Sequence, residues 1–98
     1  MRTLVFRPEA EDEISGAITW YEERGKGLGA EFLRAFEATL SAIERNPLQY
    51  AIVDREIRRA VLRRFPYSIM YVVSESEILI VACFHAQRDP QTWRERSR

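Results

Sequence analysis

Apolar positions change their spacing several times along this chain, and each change marks an element. Thr3-Leu-Val-Phe6 is short, β-branched and aromatic and stops before Pro8, which predicts a strand. From Pro8 the spacing turns helical. Ala10, Ile14, Ala17, Ile18 and Tyr21 recur at i, i+4, i+7, i+8 and i+11, the mark of one buried face, with Trp20 on its flank. Pro8 suits the first turn of that helix, although Arg7 is a poor N-cap, and Glu9, Glu11, Asp12 and Glu13 follow where a helix N-terminus favours negative charge. These carboxylates read as a solvated helix face rather than a metal site. Gly25-Lys-Gly-Leu-Gly29 turns the chain back, and a second helix, from about Gly29 to Arg45, carries Phe32, Leu33, Phe36, Leu40 and Ile43 on one side before Asn46-Pro47 ends it. The glycines make a poor phosphate loop, because no strand leads into them and no Gly-Lys-Ser or Gly-Lys-Thr follows.

Beyond Pro47 three further runs, at about residues 56–62, 67–73 and 78–85, have strand composition. Arg63-Arg-Phe-Pro66 separates the first two and Ser74-Glu-Ser-Glu77 the last two, so consecutive antiparallel strands are the economical reading. The last run, Ile78-Leu-Ile-Val-Ala-Cys-Phe84, is apolar at every position, as expected of a strand covered on both faces, and is predicted to be the central one. The fold class is therefore α+β: a helical hairpin on a small, mainly antiparallel sheet, in the order β-α-α-β-β-β.

With 98 residues, 46% of them hydrophobic, the chain builds one core, and residues 1–98 read as a single domain. A chain of this size buries only about 60–70% of the surface its unfolded form exposes, so a bound partner would add appreciably to its stability. Cys83 is the only cysteine and lies within the apolar run, so it reads as a buried thiol, forms no intramolecular disulfide and fits a reducing compartment. The N-terminus has no apolar signal segment and the longest apolar run is far short of a membrane span, which gives the expectation of a cytoplasmic protein without membrane partners.

Net charge is zero, but its distribution is uneven. Residues 1–50 hold nine acids against six bases, and residues 51–98 hold six acids against nine bases. Fourteen of the fifteen cations are arginine, whose planar fork suits carboxylate and phosphate. Arg58, Arg59, Arg63 and Arg64 flank one predicted strand, and Arg88, Arg94 and Arg96 follow the last. Convergence of the two sets at one sheet edge would make a patch for RNA, for an acidic protein surface or for a partner's carboxylate. The alternative is an ordinary solvated face. Tyr67, Tyr71 and Trp93 are near enough in sequence to stack on a base, or else to pack in the core and pin the tail. His85, the lone histidine, ends the last strand and is the one side chain whose unperturbed pKa suits proton transfer at neutral pH. It reads as a general acid or base, a phosphate donor, or a structural cap. No metal site and no cofactor are expected, since His85 has no cluster of further ligands around it.

The ordered set Pro8-Glu-Ala10, Trp20-Tyr21, Asn46-Pro47, Arg64-Phe-Pro-Tyr67 and His85-x-x-Arg88-Asp-Pro-x-x-Trp93 resembles the RelE/ParE superfamily of toxins from bacterial type II toxin–antitoxin modules. The similarity is closest to ParE-like and plasmid-stabilisation members and covers almost the whole chain. It implies a growth-inhibiting toxin neutralised by a cognate antitoxin in a hetero-oligomeric complex, acting on DNA gyrase. It also leaves open a ribosome-dependent mRNA endonuclease, with His85 catalytic and the ribosome and mRNA as partners, or a solitary protein-binding domain. Arg58, Arg59, Arg63, Arg64, Arg88, Trp93, Arg94 and Arg96 are the implied contacts to target or antitoxin. Members of the superfamily that cut mRNA carry an arginine in a Tyr-Arg-Leu-x-Tyr type segment. The matching stretch here is Tyr67-Ser-Ile-Met-Tyr71, so Ser68 stands at that place. Loss of one charge-stabilising group commonly lowers a rate by about a hundredfold or more, which favours the non-catalytic reading.

Overall fold

The computed structural model describes residues 2–87. Strand β1 (Thr3–Phe6) leads into helices α1 (Pro8–Arg24) and α2 (Leu28–Arg45), followed by β2 (Ile52–Asp54), β3 (Ile57–Val61), β4 (Tyr67–Val73) and β5 (Glu77–His85). The strands form one sheet in the order β1-β5-β4-β3-β2, with β1 parallel to β5 and the other pairs antiparallel. The α+β class and helical hairpin are those expected. Two points differ. A short strand, β2, joins the outer edge, and β4 rather than β5 takes the middle place. An apolar run records burial on both faces, which any interior strand has, and β5 is interior because β1 pairs along its other side.

The hairpin turns at Gly27, which holds φ of 89° and so occupies the left-handed region open to glycine. No side chain caps α2 from Gly27 itself; instead the Glu22 carboxylate accepts the N–H groups of Gly27 at 3.1 Å and Gly29 at 3.0 Å. A negative group here also complements the helix dipole. Gly29 lets the helices close up, since a Cβ there would stand 2.8 Å from the Ile18 carbonyl oxygen. On α2 the buried stripe is Phe32, Phe36, Thr39 and Ile43. Leu33 was expected on that face but is 36% exposed, because it lies about 100° around the helix from Phe32.

Both faces of the sheet carry buried side chains. On the helix side Ala10, Ala17, Phe32, Phe36 and Ile43 pack with Ala60, Ile69, Tyr71, Ile78, Ile80 and Cys83. On the opposite face Ile57, Met70, Val81, Ala82 and Phe84 form a second cluster. The assignment of β5 side chains to the two faces depends on one irregularity. Met70 pairs with Ala82 and Tyr71 with Ile80, which leaves Val81 as an extra residue, a β-bulge. The bulge shifts the alternation by one, so Ile78, Ile80, Cys83 and His85 share the helix side although their numbers change parity.

Candidate functional site

At one end of the sheet the β3–β4 corner, the start of β4 and the end of β5 come together. The Ala86 N–H donates to the Pro66 carbonyl at 2.7 Å, and Tyr67 pairs with His85 across the ladder. A wedge of rings fixes this corner against the helices. Tyr21 stacks on Phe32 with centroids 5.4 Å apart, and Phe65 and Tyr67 meet both rings edge-on at 4.9 to 6.0 Å. Such pairs add about 0.5–1.5 kcal/mol each beyond the area they bury, so the corner is held by packing on α1 and α2.

His85 is half-buried at the edge of this wedge. Its ring stands edge-on to Tyr67 at 5.3 Å, and its Nδ1 accepts the Gln87 N–H at 3.1 Å. It lies on the rim of a cleft of about 360 Å³ between α1 and β5, whose walls include Asp12, Glu13, Gly16, Trp20 and Cys83. Glu13 is the carboxylate the sequence pattern misplaced: its Oε1 accepts the Cys83 N–H at 3.1 Å, just past the bulge, while Glu9, Glu11 and Asp12 face solvent. The Cys83 thiol is pushed up to about 12 by burial and then by the nearby Glu13 carboxylate, so it is not a nucleophile at neutral pH. Trp20 is 46% exposed, with the Arg24 guanidinium lying 3.5 Å above its ring centroid.

The structure places the predicted arginines apart. Arg58 shares the helix-side register of Tyr71 and is tied down, donating to the carbonyls of Tyr50 at 2.6 Å and Leu48 at 3.3 Å. Its role is to hold the α2–β2 connection. Arg59, one residue on, points to the opposite face and is exposed. Arg63 and Arg64 sit in the corner, both exposed, beside Arg34 of α2, around a concavity of about 300 Å³. Arg64 pairs with Glu31 at 3.6 Å. Arg88, Trp93, Arg94 and Arg96 lie outside the described residues. Of the candidate stacking rings, Tyr71 is fully buried and donates its hydroxyl to the Pro47 carbonyl at 2.6 Å, and Tyr67 belongs to the wedge. Burial pushes the Tyr71 phenol up to about 12, against the opposing pull of Arg58.

Ser68 is buried and pairs with Phe84, on the face of the sheet away from the helices. His85 points to the helix side. The two positions are one register apart and face opposite ways. Among the described residues no group of three or more His, Cys, Asp or Glu side chains is placed to hold a metal ion, and no helix is long and apolar enough to cross a membrane.

Arg34 and Glu13 are the residues that reading the chain missed. Arg34 is an unremarked exposed helical position in sequence, and only the packing of the corner on α2 brings it to Arg63 and Arg64.

The chain is similar to known proteins over most of its length. The sequence model of the ParE toxin of the type II toxin–antitoxin system, parDE, matches residues 4–90. Among solved structures, a chain of the chromosomal ParDE TA system from P. aeruginosa is similar with a TM-score of 0.76 at 18% identity, covering 87% of this chain and 96% of that one. No curated protein sequence matches.

Proposed function

This chain belongs to the ParE toxin family of type II toxin–antitoxin systems, and from that premise we propose that it arrests growth by binding DNA gyrase, without cleaving RNA, and is neutralised by a cognate antitoxin. The observation that carries the non-catalytic reading is the placement of Ser68 and His85. The place where related mRNA-cutting toxins hold a phosphate-binding arginine is a buried serine, and the one proton-transfer residue faces the other side of the sheet. A phosphate between them would lack either its charge partner or its acid. Arg58, one candidate to replace that arginine, has its Nη1 committed to the carbonyls of Leu48 and Tyr50.

Neutralisation has a physical basis at the sheet edge. β2 is an outer strand of the sheet whose own Ile52 and Val53 are 52% and 37% exposed, and Leu48, shortly before it, is 58% exposed. An edge with apolar neighbours is a template for an added strand or a docked helix, which is how an antitoxin tail would cover it.

His85→Ala tests the reading. In an inhibitor that does not cut RNA, the variant arrests growth on induction about as the parent does, and mRNA ends on translating ribosomes stay unchanged in both. Codon-linked mRNA cuts by the parent that vanish in His85→Ala would instead establish the endonuclease.

A further inference from the structure

We propose that the corner formed by Arg34, Arg63 and Arg64 is a carboxylate site that takes an acidic side chain from a partner polypeptide. The proposal deepens the toxin–antitoxin reading and rests on it for the presence of such a partner. Three guanidinium groups line one concavity, and the single carboxylate there, Glu31, is 3.6 Å from Arg64 alone. Arg34 and Arg63 have no ion pair within 4.0 Å among the described residues. The corner therefore carries surplus positive charge in a molecule whose total is zero, and arginine's fork is matched to a carboxylate by paired hydrogen bonds.

Arg64 holds φ of 68°, as Arg55 does at 53° between β2 and β3, a left-handed conformation that glycine adopts without strain, so the corner position would accept glycine.

The occupant is a polypeptide carboxylate rather than a nucleic acid. Single strands are gripped by a basic groove together with free aromatic faces. Among the described residues the rings next to the corner, Phe65 and Tyr67, are turned into the wedge against Tyr21 and Phe32. Arg58 and Arg59 do not extend the corner into a groove, since one is tied to backbone carbonyls and the other faces away. Glu31 already shows the chemistry that fits, and an exposed pair of this kind is weak enough to be exchanged for an incoming carboxylate.

The test is a titration of the purified full chain with a polyglutamate peptide, with an oligothymidylate in a parallel arm. Arg34→Gln/Arg63→Gln is compared with Lys26→Gln/Arg45→Gln, which removes the same charge elsewhere. The corner variant is expected to bind polyglutamate about tenfold more weakly or worse, the change that loss of a charge-assisted hydrogen bond commonly brings, while the control stays near the parent. Arg64→Gly is expected to weaken binding without lowering the melting temperature, and Glu31→Gln to tighten binding by removing the internal competitor. The proposal is overturned if the parent does not bind polyglutamate, if both double variants weaken it equally, or if oligothymidylate binds the same arginines more tightly. Growth on induction reads toxicity separately, so a chain that binds polyglutamate but does not arrest growth would fail as a toxin with the site intact.

Discussion

Tyr71 joins the middle strand to the end of α2 through one buried hydrogen bond, and its chemistry can be read by titration. Burial raises its phenol from 10.0 to about 12 and the Cys83 thiol from 9.0 to about 12. The folded chain therefore keeps two protons that the unfolded chain releases earlier. Their contribution to stability is complete below about pH 9 and is lost as pH rises toward 12. Tyr71→Phe leaves the buried Pro47 carbonyl without its donor, at a cost of about 1–3 kcal/mol. The melting temperature at neutral pH is expected to fall by about 4–8 °C for each kcal/mol lost, and the alkaline slope above pH 10 to flatten. Thermal melts of parent and variant across that range check both; equal melting and equal slopes would mean that this bond holds nothing. In sequence Tyr71 offered core packing or base stacking, and nothing near it named Pro47, because the two are brought together only by the return of β4 beneath the α2–β2 connection.

The helices were legible because each has an uninterrupted 3.6-residue stripe and a glycine or proline at its end. The glycines also give a prediction that depends on packing, not propensity. Gly16 lies exposed in the middle of α1 with nothing within 4 Å of a Cβ, so Gly16→Ala is expected to stabilise by up to about 1 kcal/mol. Gly29→Ala gains a similar helix preference but sets a methyl 2.8 Å from the Ile18 carbonyl, in backbone that cannot turn away. Overpacking of this kind costs about 1–3 kcal/mol, so the variant is expected to unfold at lower denaturant than the parent. Chemical denaturation of the two alanine variants distinguishes them, and a stabilised Gly29→Ala would show that the helices are not held at that distance. The strands were less legible. β2 has three residues, two of them exposed apolar ones, and gives no alternation. In β5 the unbroken apolar run hides the bulge at Val81, so the side on which His85 emerges could not be counted from sequence.

For the whole molecule, the order of elements and the set of short motifs carried the family, which the match over residues 4–90 bears out. The proposed arginine site was only partly legible. Spacing brought forward Arg58, Arg59, Arg63 and Arg64, yet a strand sends neighbours to opposite faces, and only the corner pair meets a third arginine, Arg34, from α2. Charge clustering in sequence becomes a site only where turns and helices bring it to one concavity. The same limit applies to Ser68 and His85, which are paired regions of one sheet and still face apart. Purified components decide whether this chain, as proposed, stops growth by occupying gyrase and not by cutting RNA. The chain is added to DNA gyrase, and supercoiling of relaxed plasmid is followed, with ribosome-bound mRNA assayed in parallel. Supercoiling inhibited in proportion to added protein, equally by the parent and by His85→Ala, with mRNA intact, is the expected result; supercoiling unaffected while ribosome-bound mRNA is cut would contradict it.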